Sequence, residues 1–224
     1  MYVNTTKSKM PLYLLLIYAA AQLLPELFLP FFPDKLQIYM EVYGRMTFFI
    51  LGAAGMIWLS YKKNYRTPVD HPEQTGTGRV ILWGVGGMFL ALVAQQVAFN
   101  LEMILSGIPP ESANTQQLVL LTQNYPLFLI VIAVAGPIME EYIFRKVFFG
   151  SLIERTGGIG AAVISSLVFA FFHMDGNLLV YSAMGFAFCY VYYKTKNIAV
   201  PVIAHCLMNL TAIAVQFLPM KGGM

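Results

Sequence analysis

The stretch Leu127-Phe128-Leu129-Ile130-Val131-Ile132-Ala133-Val134-Ala135-Gly136-Pro137-Ile138-Met139-Glu140-Glu141-Tyr142-Ile143-Phe144-Arg145 decides how the chain is read. Thirteen residues pass without a charge, and then three charges fall within six. An apolar run of this kind is a candidate membrane helix. Ionisable groups inside such a run cost about 2.5–3.5 kcal/mol each on insertion scales, so they mark a functional site by default. On a helix Glu141 and Arg145 are four apart with the acid first, the favourable order for an ion pair. Glu140 points about 100° away. One carboxylate is then neutralised within the structure while its neighbour faces a different environment.

The rest of the chain has the same character. Of 224 residues, 58% are hydrophobic and 11% charged, whereas soluble domains average roughly 45–50% and about 25%. There is too little charge to coat a water-facing globule. Spans of about 20 apolar residues fall near Met10–Leu29, Tyr39–Tyr61, Val80–Leu105 and Leu118–Ala135, the last with room to continue. Three more lie near Gly160–Phe172, Leu178–Tyr193 and Ile198–Leu218, the first of these short. Lipid cannot satisfy open backbone, and no ten-residue alternating segments suggest a barrel. The expectation is an all-α, polytopic transmembrane helix bundle of about seven helices. Lys7-Ser8-Lys9 before an apolar run resembles a signal peptide, but the run is too long for one and reads as a retained first span.

The organisation expected is three leading helices with their loops over 1–117, a core over 118–219 and a short tail over 220–224. The longest polar connection runs from Lys62 to Gly78, and Gly107–Gln117, with Pro109-Pro110, is a second loop. His71 reads as an ordinary residue of the first of these. Pro25 and Pro201 are places where helices kink or have their backbone satisfied by neighbours. With the amino terminus inside, 11 of the 14 basic residues face the cytoplasm, leaving Lys35, Arg45 and Lys221 on or near the other side. The carboxyl terminus is then outside. The net charge of +3 is scattered, which excludes a nucleic-acid partner. Cys189 and Cys206 lie in apolar runs without metal-site spacing and read as apolar filler.

Two further polar interruptions occur. In Phe169-Ala170-Phe171-Phe172-His173, Phe169 and His173 share a helical face; in His205-Cys206-Leu207-Met208-Asn209, His205 and Asn209 do. Singly each reads as a structural residue. Together they place two histidines, a carboxylate and an amide on separate apolar segments, which helix packing alone brings into one buried site.

Glu-Glu-x-x-x-Arg, Phe-x-x-x-His and His-x-x-x-Asn, in this order on successive apolar segments, resemble the CPBP family, the CAAX-processing and bacteriocin-processing (Abi) intramembrane endopeptidases. The resemblance covers roughly Leu118–Ala214. It implies a helical core around a water-accessible cavity and an attacking water activated by Glu140. It also implies catalytic roles for His173, His205 and Asn209. Many members carry Gly after the motif arginine, where this chain has Lys146.

Under that reading Glu140 takes a proton from water and His173 orients the water or shares the proton. His205 and Asn209 donate to the carbonyl oxygen, and Glu141 and Arg145 hold Glu140 in place. No cofactor or metal is called for. A zinc site of Glu140, His173 and His205 is the rival enzyme reading, although no His-Glu-x-x-His spacing is present. Ser165, Ser166 and Ser182 have no neighbouring base. A non-proteolytic bacteriocin-immunity or membrane scaffold protein is the rival from another class. A transporter would show repeats or paired broken helices, which are not found. The expected partners are membrane lipid and a peptide or leader-peptide substrate, and the expected location is a bacterial plasma membrane. Oligomeric state and cleavage site are not legible.

Overall fold

The computed structural model describes residues 8–107, 113–174 and 176–216. Lys7, Pro109-Pro110, the distal end of the last expected span and the expected 220–224 tail lie outside the described residues.

Among the described residues the fold is entirely helical. Helix α1 covers Met10–Phe28; α2, Asp34–Tyr39, continues through a π-helical turn, Met40–Gly44, into α3, Arg45–Lys62. Helix α4 is Thr77–Ser106 and α5 is Ala113–Asn124. A second π-helix, Val131–Ala135, leads into α6, Gly136–Glu140, and a third, Glu141–Phe149, into α7, Gly150–His173. Helices α8, Leu178–Thr195, and α9, Ala199–Gln216, complete the bundle. Four helical runs are long and apolar enough to cross a membrane: Met10–Phe31, Asp34–Lys62, Thr77–Ser106 and Pro126–His173.

The expected fourth span, Leu118–Ala135, is not one helix. Pro126 removes a donor and disfavours helical geometry at the residue before it. Tyr125 accordingly takes φ −133°, ψ 79°, so Leu118–Asn124 belongs to α5 and the core helix begins at Pro126. The expected Gly107–Gln117 loop is correspondingly shorter, since α5 starts at Ala113. The run does continue beyond Ala135, through Phe149 and into the start of α7. The 48-residue run then folds back on itself at Gly157, whose φ of 71° and ψ of 172° are open to glycine. Ser165 Oγ donates to Phe144 O at 2.5 Å, although 21 residues of straight helix would span about 31 Å.

Small residues set the helix spacing. Gly84 of α4 lies against Ile203 of α9, Gly87 lies against Ala204 and Val191, and Gly185 of α8 faces Ser166 of α7. Such positions let membrane helices approach closely, where dispersion rather than water exclusion drives association.

The connection between α3 and α4 is not a solvated loop. Thr67, Val69 and Asp70 are buried. The Asp70 carboxylate accepts from Lys146 Nζ at 2.9 Å, Tyr192 OH at 2.7 Å and the Thr67 backbone N–H at 2.8 Å. His71 N–H donates to Lys196 O at 2.8 Å and Thr75 Oγ1 to Thr195 O at 2.5 Å. The loop therefore covers the turn between α8 and α9.

Candidate active site

Residues Glu140 and Glu141 close α6 and open the third π-helix. In a π-helix backbone bonds run i→i+5, so each turn is wider than an α-turn, and such segments recur at functional sites. Arg145 Nη1 donates to Glu141 Oε1 at 3.0 Å, both side chains being fully buried. The guanidinium lies between two rings, 4.3 Å from the Phe169 centroid and 5.0 Å from that of Phe188, a desolvated cation–π arrangement.

Glu141 has a second partner that sequence spacing did not reveal. His205 Nδ1 lies 2.7 Å from the same Oε1. The oxygen that accepts from Arg145 is also the nearest partner of Nδ1, so Nδ1 is the donating nitrogen of the ring. Nε2 is directed to the other side, 3.7 Å from Glu140 Oε2. Phe188 stacks on the imidazole at 4.8 Å and fixes its plane. The two adjacent carboxylates do differ in environment: Glu141 is fully buried, whereas the Glu140 side chain keeps 21% of its surface exposed.

His173 ends α7 next to Phe169, ring centroids 4.5 Å apart, and Nδ1 lies 2.9 Å from Phe169 O. Tyr181 of α8 stacks on it at 3.9 Å. Phe169 also meets His205 edge-on at 6.0 Å, so one ring separates the two histidines. Asn209, a turn beyond His205, donates from Nδ2 to Ile132 O at 3.0 Å. The backbone explains that bond. In the second π-helix Gly136 N–H is taken by Val131 O, so the donor for Ile132 O would be residue 137, a proline without an N–H.

Glu140, His173, His205 and Asn209 line one cavity of about 590 Å³. Glu141, Arg145 and Phe169 stand behind it as supports. Among the described residues no three His, Cys, Asp or Glu side chains gather to hold a metal ion, so Glu140, His173 and His205 do not form a ligand set. Sequence reasoning missed the contribution of the leading helices, because Tyr18 and Gln22 of α1, Arg45 and Phe49 of α3, and Gln95 and Phe99 of α4 also line the cavity. Each pair is spaced i,i+4. A polar residue four positions from an aromatic, inside each of the first three apolar spans, was the available signal.

A family profile described as "Type II CAAX prenyl endopeptidase Rce1-like" matches residues 122–211, the segment holding every candidate catalytic residue. The "Membrane-embedded CAAX protease MroQ" of Staphylococcus aureus (strain USA300) is 31% identical over 215 residues, covering 91% of this chain and 87% of that protein. The chain belongs to the CPBP family. YdiL of Bacillus subtilis (strain 168) is 43% identical over 151 residues, 67% of this chain, and the match spans 62% of YdiL, under two thirds of its length. "UPF0177 protein YaiH" of Lactococcus lactis is 25% identical over 197 residues, 80% of each chain. No solved structure matches. Membership of the CPBP family and four long apolar runs make this a multi-pass membrane protein.

Proposed function

We propose that the chain is an intramembrane endopeptidase that hydrolyses a peptide bond of a membrane-associated peptide, using water activated by Glu140. The supporting observation is the single cavity in which the partly exposed Glu140 faces a histidine fixed from behind by a buried carboxylate–guanidinium pair. Family membership, and the protease named among its relatives, point the same way.

Glu140 takes one proton from water as the water oxygen bonds to the carbonyl carbon. His205 supports the resulting oxyanion from Nε2 when its ring is protonated, with Glu141 balancing that charge. Asn209 adds its second amide hydrogen, and His173 orients the water. The carbon–nitrogen bond then breaks, and the proton held by Glu140 passes to the leaving amine, giving a carboxylic acid and an amine; the acid's proton then moves to the amine, leaving carboxylate and ammonium. Positioned general acid–base catalysis contributes about 10²–10⁴-fold.

We take the amino terminus to be cytoplasmic, the orientation that the division of basic residues supports. The cavity is lined by the distal parts of α1 and α4 and by the end of α7, so in this orientation it opens away from the cytoplasm, as suits an exported or leader peptide.

The test compares peptides released in cells carrying the intact protein with those from cells carrying Glu140→Gln. Loss of defined fragments at equal protein level is expected. Near-normal turnover by Glu140→Gln would end the glutamate-base mechanism, and no intact-protein-dependent fragment at all would favour a non-proteolytic role.

A further inference from the structure

The segment matched by the family profile begins at residue 122, yet the leading helices build one wall of the cavity. Three of them each contribute an i,i+4 pair with a polar member: Tyr18 and Gln22, Arg45 and Phe49, Gln95 and Phe99. Among the described residues lining the cavity, Arg45 is the one Lys or Arg. It is not buried in a closed pair. Glu26 of α1 bridges to it, but their side chains remain 28% and 48% exposed, and a guanidinium has five donors. Glu26 therefore orients Arg45 and leaves donors for a second anion.

Helix geometry fixes the distance from Arg45 to the reacting centre. Gly52 packs directly on Met139, beside Glu140, and on Ala21 of α1. Arg45 is seven residues from Gly52, about 10 Å of helical rise, and Glu26 is five from Ala21, about 7–8 Å. Extended chain covers about 3.3–3.6 Å per residue. We propose that Arg45 is a specificity residue that receives a carboxylate of the substrate two to three residues from the scissile bond, with Gln22 and Gln95 bonding the peptide backbone between. The carboxylate is either an acidic side chain or a chain end. This inference rests on the endopeptidase reading.

The experiment uses the full chain in lipid nanodiscs. The probes are twelve-residue Ala/Leu/Ser peptides with amidated ends and one Glu moved a position at a time. Matched sets carry Lys instead, or no charge and a free carboxyl end. Mass spectrometry locates each cut, and binding of the same fluorescently labelled peptides to Glu140→Gln is measured separately. The expected result is cutting two to three residues from the Glu, with at least tenfold tighter binding than for uncharged peptides. Arg45→Gln should reduce Glu peptides to the uncharged level. The exchanged variant Glu26→Arg/Arg45→Glu, which keeps the bridge, should transfer the preference to Lys peptides. If only the free carboxyl end sets the cut, the anion is a chain end and the subsite stands. Cutting and binding that ignore charge overturn the subsite and leave the protease reading intact. Charge-dependent binding without any cutting overturns the protease reading and leaves the subsite.

Discussion

At the residue scale the site is a set of polar groups held by a few specific contacts, Glu141 taking both Arg145 and His205 on one oxygen. Asn209 has a backbone task that follows from Pro137, because Ile132 O has no helical donor. Asn209→Ala leaves that carbonyl unsatisfied, a loss of about 1–3 kcal/mol, to be read by chemical denaturation in detergent. Pro137→Ala restores an N–H at the right register, so the cost of Asn209→Ala should shrink in the double variant. Glu141 and Arg145 form a buried pair, and removing either alone costs about 3–5 kcal/mol. A double-mutant cycle in thermal stability should show strong coupling, whereas Glu140→Gln should keep stability and lose turnover. The i,i+4 spacing made the Glu141–Arg145 contact legible in advance. The bond from Glu141 to His205 was not, since 64 residues separate the two and only the packing of α9 on α6 joins them.

At the scale of elements, the third π-helix is held from both sides. Arg145 points into the site, while its neighbour Lys146 reaches Asp70 in the α3–α4 connection, where Tyr192 also bonds the carboxylate. Lys146 stands where many CPBP chains have glycine, and here a carboxylate waits for it. Lys146→Met should destabilise strongly by stranding Asp70, and Lys146→Met with Asp70→Leu should recover most of the loss, as apolar replacements of buried pairs often do. Melting temperatures of the two variants and the parent decide this. Tyr65 closes the same cluster, and burial pushes its phenol up to about 12, aided by the Asp70 carboxylate. It therefore stays neutral across physiological pH. Gly150 abuts the Thr67 side chain, with no room for a Cβ, so Gly150→Ala should loosen the connection by overpacking at a cost of about 1–3 kcal/mol. None of this was legible in the sequence. Lys62 to Gly78 read only as the longest polar connection, because nothing local shows that a polar segment will find buried partners more than 70 residues away.

At the scale of the whole molecule, apolar length alone disclosed a membrane bundle, and the positions of Glu140, His173 and His205 disclosed which helices must converge. Their depths were harder to foresee, because His173 comes late in α7 and His205 early in α9. They meet because α9 starts inside the bundle, the turn before it covered by the docked connection through His71 and Thr75. From Gly157 to Phe169 is about 18 Å of helix, but from Ala199 to His205 about 9 Å, and Phe169 and His205 are neighbours. The start of α9 is therefore about 9 Å deeper than the Gly157 turn. Reporter fusions should place the amino terminus in the cytoplasm and the carboxyl terminus across the membrane; a cytoplasmic carboxyl-terminal reporter on an active fusion would contradict the basic-residue division.

The wide helix from Glu141 to Phe149 also fixes the length of the chain to the single residue. Its i→i+5 ladder accommodates one residue more per turn than an α-helix. A one-residue insertion between Glu141 and Lys146 has no further widening to absorb it and turns everything after it by about 100° relative to Glu141. Glu141 could then keep His205, or Lys146 could keep Asp70, and not both. Substitutions are tolerable in this segment according to their chemistry; insertions are not, so added length among functional relatives should stop at its two ends.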